Sequence, residues 1–237
     1  MWTLLEKIIR KRAFIDSKLA MVSFTFDDAP FSAFLKGGTI LEEFGYRGTY
    51  YVSAGIAGES TEVGSLADLE TIVEFQKRGH EIANHTYSHI NCEHSSPIDM
   101  LKNIRRNSNE LQAVITRNFS YPYGAANASS RCVARICTSS ARGISHGINK
   151  GAIDLMNLRA SRVYNRLGID KCLDLISDCA ECGGWLIFYT HDVCEKPSDY
   201  GCKPEQLVEL IKAISCKNLS VMTVREALVA IGSFRIS

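Results

Sequence analysis

At 237 residues and 46% apolar content, the chain is long enough to bury one large core, and a single domain accounts for it. Its 27 basic and 26 acidic residues leave a net charge of +1, which excludes the electrostatic footprint of a nucleic-acid-binding protein. Nine scattered cysteines, an odd number, argue against a disulfide framework and predict a reducing, cytoplasmic setting, and no stretch reaches the roughly 18 apolar residues of a membrane span.

Met1 to Ala20 mixes apolar residues with Lys7, Arg10, Lys11, Arg12 and Asp16. This predicts an amphipathic helix over residues 1–18 rather than an export signal, with a peripheral membrane contact as a further reading of its basic face. Residues 19–237 then alternate between strand and helix. Met21 to Phe26 reads as a buried strand that stops on Asp27-Asp28-Ala29-Pro30, and Thr39 to Phe44 reads as a helix capped by Gly45. Strands at Gly48–Ser53 and His80–Ala83 flank a helix over Leu66–Lys77. Ser96 and Pro97 supply the N-cap and first position of a long helix to about Ile115.

Phe119 to Tyr121 is strand-like, Ala128–Cys137 helical, and Ser139–Gly143 extended. Asp154–Leu158 reads as a turn of helix and Ala160–Tyr164 as extended. Helices over Ile169–Cys182 and Pro204–Ser215 enclose an apolar strand at Trp185–Tyr189, and Ser220–Thr223 and Val224–Ile231 close the chain. Cys179-Ala180-Glu181-Cys182 lacks a second C-x-x-C and is read as structural. Strict alternation predicts a single-domain α/β fold, a distorted (β/α) barrel of about seven parallel strands, with chemistry at the strands' C-terminal ends.

Those ends carry a constellation. Asp27 and Asp28 follow the first strand, His85 and His89 the strand at His80, and His191 the strand at Trp185. Two adjacent carboxylates are costly without a cation, and histidines four apart fall on one face of a helical turn. Two imidazoles and one carboxylate suit a divalent metal. Zinc is favoured, and cobalt, nickel, manganese and ferrous iron are also compatible.

TFDDAP, HTYSH, FSYPYG and FYTH, in that order, resemble the motifs of the polysaccharide deacetylases of carbohydrate esterase family four, over roughly residues 20–230. The resemblance implies metal-dependent removal of acetyl groups from N-acetylated amino sugars. Asp27 would be the general base, Asp28, His85 and His89 the metal ligands, Tyr123 the donor of a backbone N–H to the oxyanion, and His191 the general acid. The residue types suit the chemistry: a carboxylate takes a proton from water, an N–H meets charge as it develops, and a histidine protonates the departing amine.

The chain departs from the family pattern twice. Ala29 stands where the first motif usually ends in Gly, and Ser120 stands where the third motif usually has the Arg that orients the catalytic Asp. Arg142 and Arg159 are the candidates to replace it at the substrate site, and Tyr87, between the metal histidines, is read as a wall for the sugar. Phe31, Tyr164 and Trp185 are weaker candidates. Two rival readings remain open: hydrolysis of another non-peptide C–N bond in a small amide, and an inactive carbohydrate-binding descendant.

Overall fold

Apolar runs and amphipathic stretches alternate as the sequence predicts in the computed structural model, which describes residues 9–233. β1 (Arg12–Ile15) and β2 (Ala20–Phe26) precede a π-helical turn (Ala33–Gly38) that runs into α1 (Thr39–Glu43). Next come β3 (Thr49–Val52), the hairpin of β4 (Ser60–Thr61) and β5 (Gly64–Ser65), α2 (Leu69–Lys77) and β6 (Glu81–Asn84). The chain continues through α3 (Pro97–Glu110), β7 (Ile115–Ser120), α4 (Ala128–Cys137), β8 (Ser140–Arg142), β9 (Gly151–Asp154) and β10 (Ser161–Arg162). α5 (Asp170–Cys182), β11 (Gly184–Thr190), α6 (Pro204–Cys216), β12 (Ser220–Val221) and α7 (Val224–Ala230) complete it.

Eight strands run parallel in one curled sheet. Seven form the path β10–β11–β2–β3–β6–β7–β8, and β12 pairs with the start of β2. Beyond β8 the ring continues: Leu158 bridges to Arg142, and the N–H groups of Ala141 and Gly143 donate to Leu155 and Leu158 carbonyls (2.7 and 2.9 Å) before that segment enters β10. This is the expected single-domain distorted (β/α) barrel.

The N-terminal expectation is corrected. Residues 1–8 of the predicted helix lie outside the described residues, but Arg12–Ile15 are a strand, paired antiparallel with β9. The same pairing makes Gly151–Asp154 extended, through a partner about 140 residues upstream and beyond any local pattern, so that of the helical turn expected at Asp154–Leu158 only a single turn remains, closed by the Asn157 N–H on the Asp154 carbonyl (3.0 Å). No helix among the described residues is long and apolar enough to cross a membrane. All nine cysteines are free thiols. Cys179 of the C-x-x-C is buried, with its Sγ directed at the carbonyls of Met21 and Gly184 (3.8 and 3.7 Å), and Cys182 is exposed.

The two-residue period of the strands decides which side chains meet. Val22, Phe24 and Phe26 of β2, with Leu186 and Phe188 of β11, pack into a cluster with Leu175, Leu207, Leu210 and Ile211 of α5 and α6. Each such buried side chain contributes about 1.5–3 kcal/mol. The alternate residues of β11, Trp185, Ile187 and Tyr189, join a second cluster with Phe119, Tyr121 and Ala141 of β7, β8 and the turn between them, and Trp185 Nε1 donates to Ser23 Oγ (2.9 Å). Continuing this second phase past the strand ends reaches Asp27 from Ser23 and Thr25, and His191 from Tyr189. The core pattern therefore aims both reactive groups at the same side of the sheet. Trp185, fully buried, belongs to the core and not to a sugar site.

Buried His80 links α1, β3 and β6 and makes stability depend on pH. The Gly48 N–H donates to His80 Nδ1 (3.0 Å), so that atom must stay unprotonated, while Nε2 lies 3.0 Å from Glu42 Oε1. Burial, only partly opposed by Glu42, pushes the imidazole pKa down to about 4 from 6.5. Below 6.5 the unfolded chain takes up a proton that the folded chain refuses until about pH 4, so stability falls as pH falls through that window. Urea unfolding should show a loss of about 2 kcal/mol from His80 between about pH 7 and about pH 4.5. His80→Asn should flatten that slope, and equal slopes in the two proteins would remove His80 as its source.

Candidate active site

β2 and β11 are tied at their ends by the Asp27 N–H donating to the Thr190 carbonyl (2.9 Å), which sets Asp27 and Asp28 beside His191. The chain then turns sharply: Asp28 and Ala29 both have left-handed backbone (φ 59° and 53°). Ala29 thus occupies a conformation that favours Gly, at a cost of about 1–2 kcal/mol. Thr86, His89 and Tyr123 are left-handed too, so five of the six such non-glycine residues among those described cluster here. Strain gathered in one place is retained where the surrounding structure holds it for a purpose.

His85 and His89 are brought together differently from the expectation. The segment after β6 is a loop with left-handed residues at Thr86 and His89, not a helical turn. Asn84 Oδ1 accepts from the Thr86 N–H (2.9 Å) and Thr86 Oγ1 accepts from the Ile90 N–H (3.1 Å), which pins the loop. His85 Nδ1 lies 2.8 Å from the Ser120 carbonyl. A carbonyl can only accept, so Nδ1 carries the proton and Nε2 turns its lone pair toward Asp28.

His89 Nε2 and His85 Nε2 stand 3.0 and 3.4 Å from Asp28 Oδ1, and all three ligand atoms lie within 4.8 Å of one another. The contacts are close but not aligned as hydrogen bonds, and Asp28 Oδ1 is a buried carboxylate oxygen without a hydrogen-bond partner. Burial disfavours its charge, and imidazole N–H groups turned toward it would hold the carboxyl well below the usual range; with His85 Nε2 presenting a lone pair instead, a bound cation would supply that compensation. An orphaned carboxylate oxygen beside the Nε2 atoms of two histidines fits a divalent cation.

Asp27 is buried, and Arg142 holds it. Nη2 of Arg142 contacts both Asp27 carboxylate oxygens and Ser120 Oγ, while Nη1 donates to the Gly143 carbonyl (2.8 Å). The guanidinium lies between the rings of Tyr51 and Tyr189, 5.1 and 4.9 Å from their centroids. Ser120 and Arg142 are direct partners in the β7–β8 register. The arginine expected at position 120 has in effect moved sideways by one strand, leaving Ser120 to touch Arg142 with its side chain and His85 with its carbonyl.

His191 Nε2 is 3.9 Å from Asp28 Oδ2, and its Nδ1 lies 3.3 Å from the Tyr200 carbonyl. Asp192 points elsewhere, accepting from the N–H and hydroxyl of Ser198 (2.8 and 2.5 Å), so it shapes the following loop. Tyr123, in the turn after β7, packs its ring at a tilt of 58° against His89, 4.6 Å between centroids, and no acceptor among the described residues takes its N–H.

Asp27, Asp28, His85, His89, Tyr123 and His191 line one pocket of about 300 Å³. Two expected residues do not join them. Tyr87 turns away: Arg106 covers its ring at 3.8 Å and donates to its hydroxyl (3.1 Å). Arg159 donates to the His146 carbonyl (2.9 Å) and lines a separate surface cavity. Phe31 is also outside the pocket. Tyr164 does line it, together with the unanticipated Tyr200, Arg162, Arg166 and Glu62. One signal could have found Arg162: it alternates with Tyr164 in the segment read as extended, Ala160–Tyr164, which puts the two on one face, whereas Arg166 lies beyond it in a turn.

A larger cavity, about 740 Å³, opens at the opposite ends of the strands near Ile82, Val221 and Arg225. Its buried carboxylate, Glu81, accepts from Thr49, Thr116 and Asn118 side chains and the Arg225 N–H, a fully satisfied structural arrangement. Size therefore does not mark the reactive site.

A parallel barrel with ionisable groups gathered at the C-terminal ends of its strands places the chain in the class of distorted (β/α)-barrel proteins. The family model described as polysaccharide deacetylase matches residues 16–139, more than half of the chain, and the chain belongs to that family. The chitin deacetylase of Colletotrichum lindemuthianum superposes with a TM-score of 0.59 at 18% identity, covering 88% of this chain and 87% of that one. A family 4 carbohydrate esterase from Streptomyces lividans, in complex with acetate, gives 0.57 at 17% identity, over 85% of this chain and 91% of that one. A mutant of a CE4 family pseudoenzyme, with restored enzymatic activity, gives 0.55 at 16% identity, over 90% of this chain and 69% of that one. At these identities the likeness shows the fold. No curated protein matches the chain.

Proposed function

We propose that this protein is a metal-dependent deacetylase that removes the acetyl group from an N-acetylated amino sugar. The observation that carries the reading is the convergence, in one pocket, of an Arg142-held carboxylate, a carboxylate–imidazole triad and a separate imidazole. Asp28, His85 and His89 would hold the metal, zinc being favoured by the ligand set, and when bound it supplies Lewis acidity to the acetyl carbonyl and acidifies water. Asp27, its charge compensated and its plane fixed by Arg142, accepts the proton of the attacking water. The free N–H of Tyr123 meets negative charge as it develops on the carbonyl oxygen. His191, oriented through Nδ1 by the Tyr200 carbonyl, gives the proton on Nε2 to the amine as the amide C–N bond breaks and acetate leaves.

Arg142 disfavours the inactive reading: the residue whose absence from position 120 suggested decay is present on the neighbouring strand. Nine free thiols support a reducing compartment, the cytoplasm, where the substrate would be a soluble or lipid-linked precursor. Acetate release from N-acetylglucosamine oligomers, set against a panel of formyl and cyclic amides, tests the activity. Asp27→Asn should keep its metal and lose turnover by about 10²–10⁴-fold. Turnover of small amides alone would favour the other C–N hydrolase, and a wild-type rate in Asp27→Asn would remove Asp27 as the base.

A further inference from the structure

Two guanidiniums line the pocket without a role in the chemistry above. Arg162 ends β10 and Arg166 lies in the turn after it. Both side chains are exposed, and their guanidinium carbons stand 6.0 and 5.9 Å from the ring centroid of Tyr164, which they flank. Neither has a carboxylate partner among the described residues. Arg166 Nε donates to the Asp199 carbonyl (3.0 Å), which anchors the side chain without neutralising it, and Arg162 meets the ring of Tyr164. Of the other charges of the pocket, Asp27 is paired with Arg142 and Asp28 faces the histidines, while Glu62, on the β4–β5 hairpin, brings a carboxylate to the same pocket with no ion pair to either arginine among the described residues. One wall is therefore left with two uncompensated positive charges around an aromatic face, in a concave site where walls of low dielectric focus the field.

An arginine fork matches planar carboxylates and phosphates, and an aromatic face suits the apolar side of a sugar ring. We propose that the substrate is an anionic amino sugar, in which the N-acetylated ring carries an oxyanion group, phosphoryl or carboxylate, bound by Arg162 and Arg166 while the ring lies against Tyr164. This rests on the deacetylase reading and narrows it from neutral polymers to charged precursors.

The test uses the full chain with its metal and compares three substrates: N-acetylglucosamine 1-phosphate, N-acetylmuramic acid, and the neutral methyl N-acetylglucosaminide. The expected result is a kcat/KM at least about tenfold higher for one anionic substrate than for the neutral one, with the preference shrinking as salt rises. The first two substrates distinguish a phosphoryl from a carboxylate group. Arg162→Gln and Arg166→Gln should each lower the anionic-to-neutral ratio several-fold, and Arg105→Gln, on the outer helix α3, should leave it unchanged. Acetate release at equal efficiency from all three substrates, insensitive to these substitutions, would overturn the inference and leave the deacetylase intact. Absence of acetate from every substrate would count against the deacetylase itself. Calorimetric binding of glucosamine 1-phosphate against methyl glucosaminide then decides the anion site: a preference abolished in the double variant supports it, and equal binding ends it.

Discussion

Replacing Arg142 with methionine should lower acetate release by about 10²–10⁴-fold, the scale expected when a general base loses its orientation. The substitution also leaves Asp27 buried without its counter-charge, and breaking a buried ion pair costs about 3–5 kcal/mol, so a loss of folding could mimic a loss of catalysis. The register separates the two. Ser120 and Arg142 face each other across β7 and β8, and the guanidinium already touches the serine hydroxyl. Exchanging them, Ser120→Arg with Arg142→Ser, returns an arginine to the position where the family motif carries it. The exchanged protein should regain stability and at least about tenfold of the activity that Arg142→Met loses. If Arg142→Met is folded and fully active, Arg142 is a core ion-pair residue and Asp27 is positioned by something else.

Removal of the metal should have the second large effect. Exhaustive chelation should abolish turnover and lower the unfolding temperature, and titration with zinc should restore both. A ligand present at about 100 times its dissociation constant adds about 2.7 kcal/mol to stability. His85→Ala and His89→Ala should each retain less than about a tenth of the wild-type metal content, because two remaining ligands bind weakly. Ser120 contributes to His85 only through its backbone carbonyl, so side-chain changes there should alter Asp27 more than the metal. Full activity in the chelated protein, or undiminished metal content in His89→Ala, would contradict the assignment of the triad.

The strands of the barrel were legible because their signals are local. β2 and β11 announce themselves by continuous apolar runs ended by turn chemistry, and the two-residue period already implied that Asp27 and His191 continue the phase of Ser23 and Tyr189. The four motifs at strand ends pointed to the candidate site only jointly: each alone is a weak signal, and their order and placement after successive strands carried the reading.

Other features depended on contacts between distant parts of the chain. β1 and β9 are extended because each supplies the other's hydrogen bonds, and alone Arg12–Ile15 passes for part of an amphipathic helix. The spacing of His85 and His89 suggested a helical turn, whereas hydrogen bonds from Asn84 and Thr86 hold a left-handed loop. Tyr87 looked like a pocket residue because it lies between the two histidines, but its side chain leaves the pocket for Arg106.

By itself, then, the sequence determined the alternation of elements and singled out Asp27, Asp28, His85, His89 and His191 as candidates, which the structure brings into one pocket. Only the tertiary structure decided between Arg142 and Arg159, and it alone placed Arg162 and Arg166 beside Tyr164. The physical reason is the range of the interactions. Periodicity and turn chemistry are written within a few residues, whereas an ion pair across 115 positions is set by strand order and register, which no local pattern encodes.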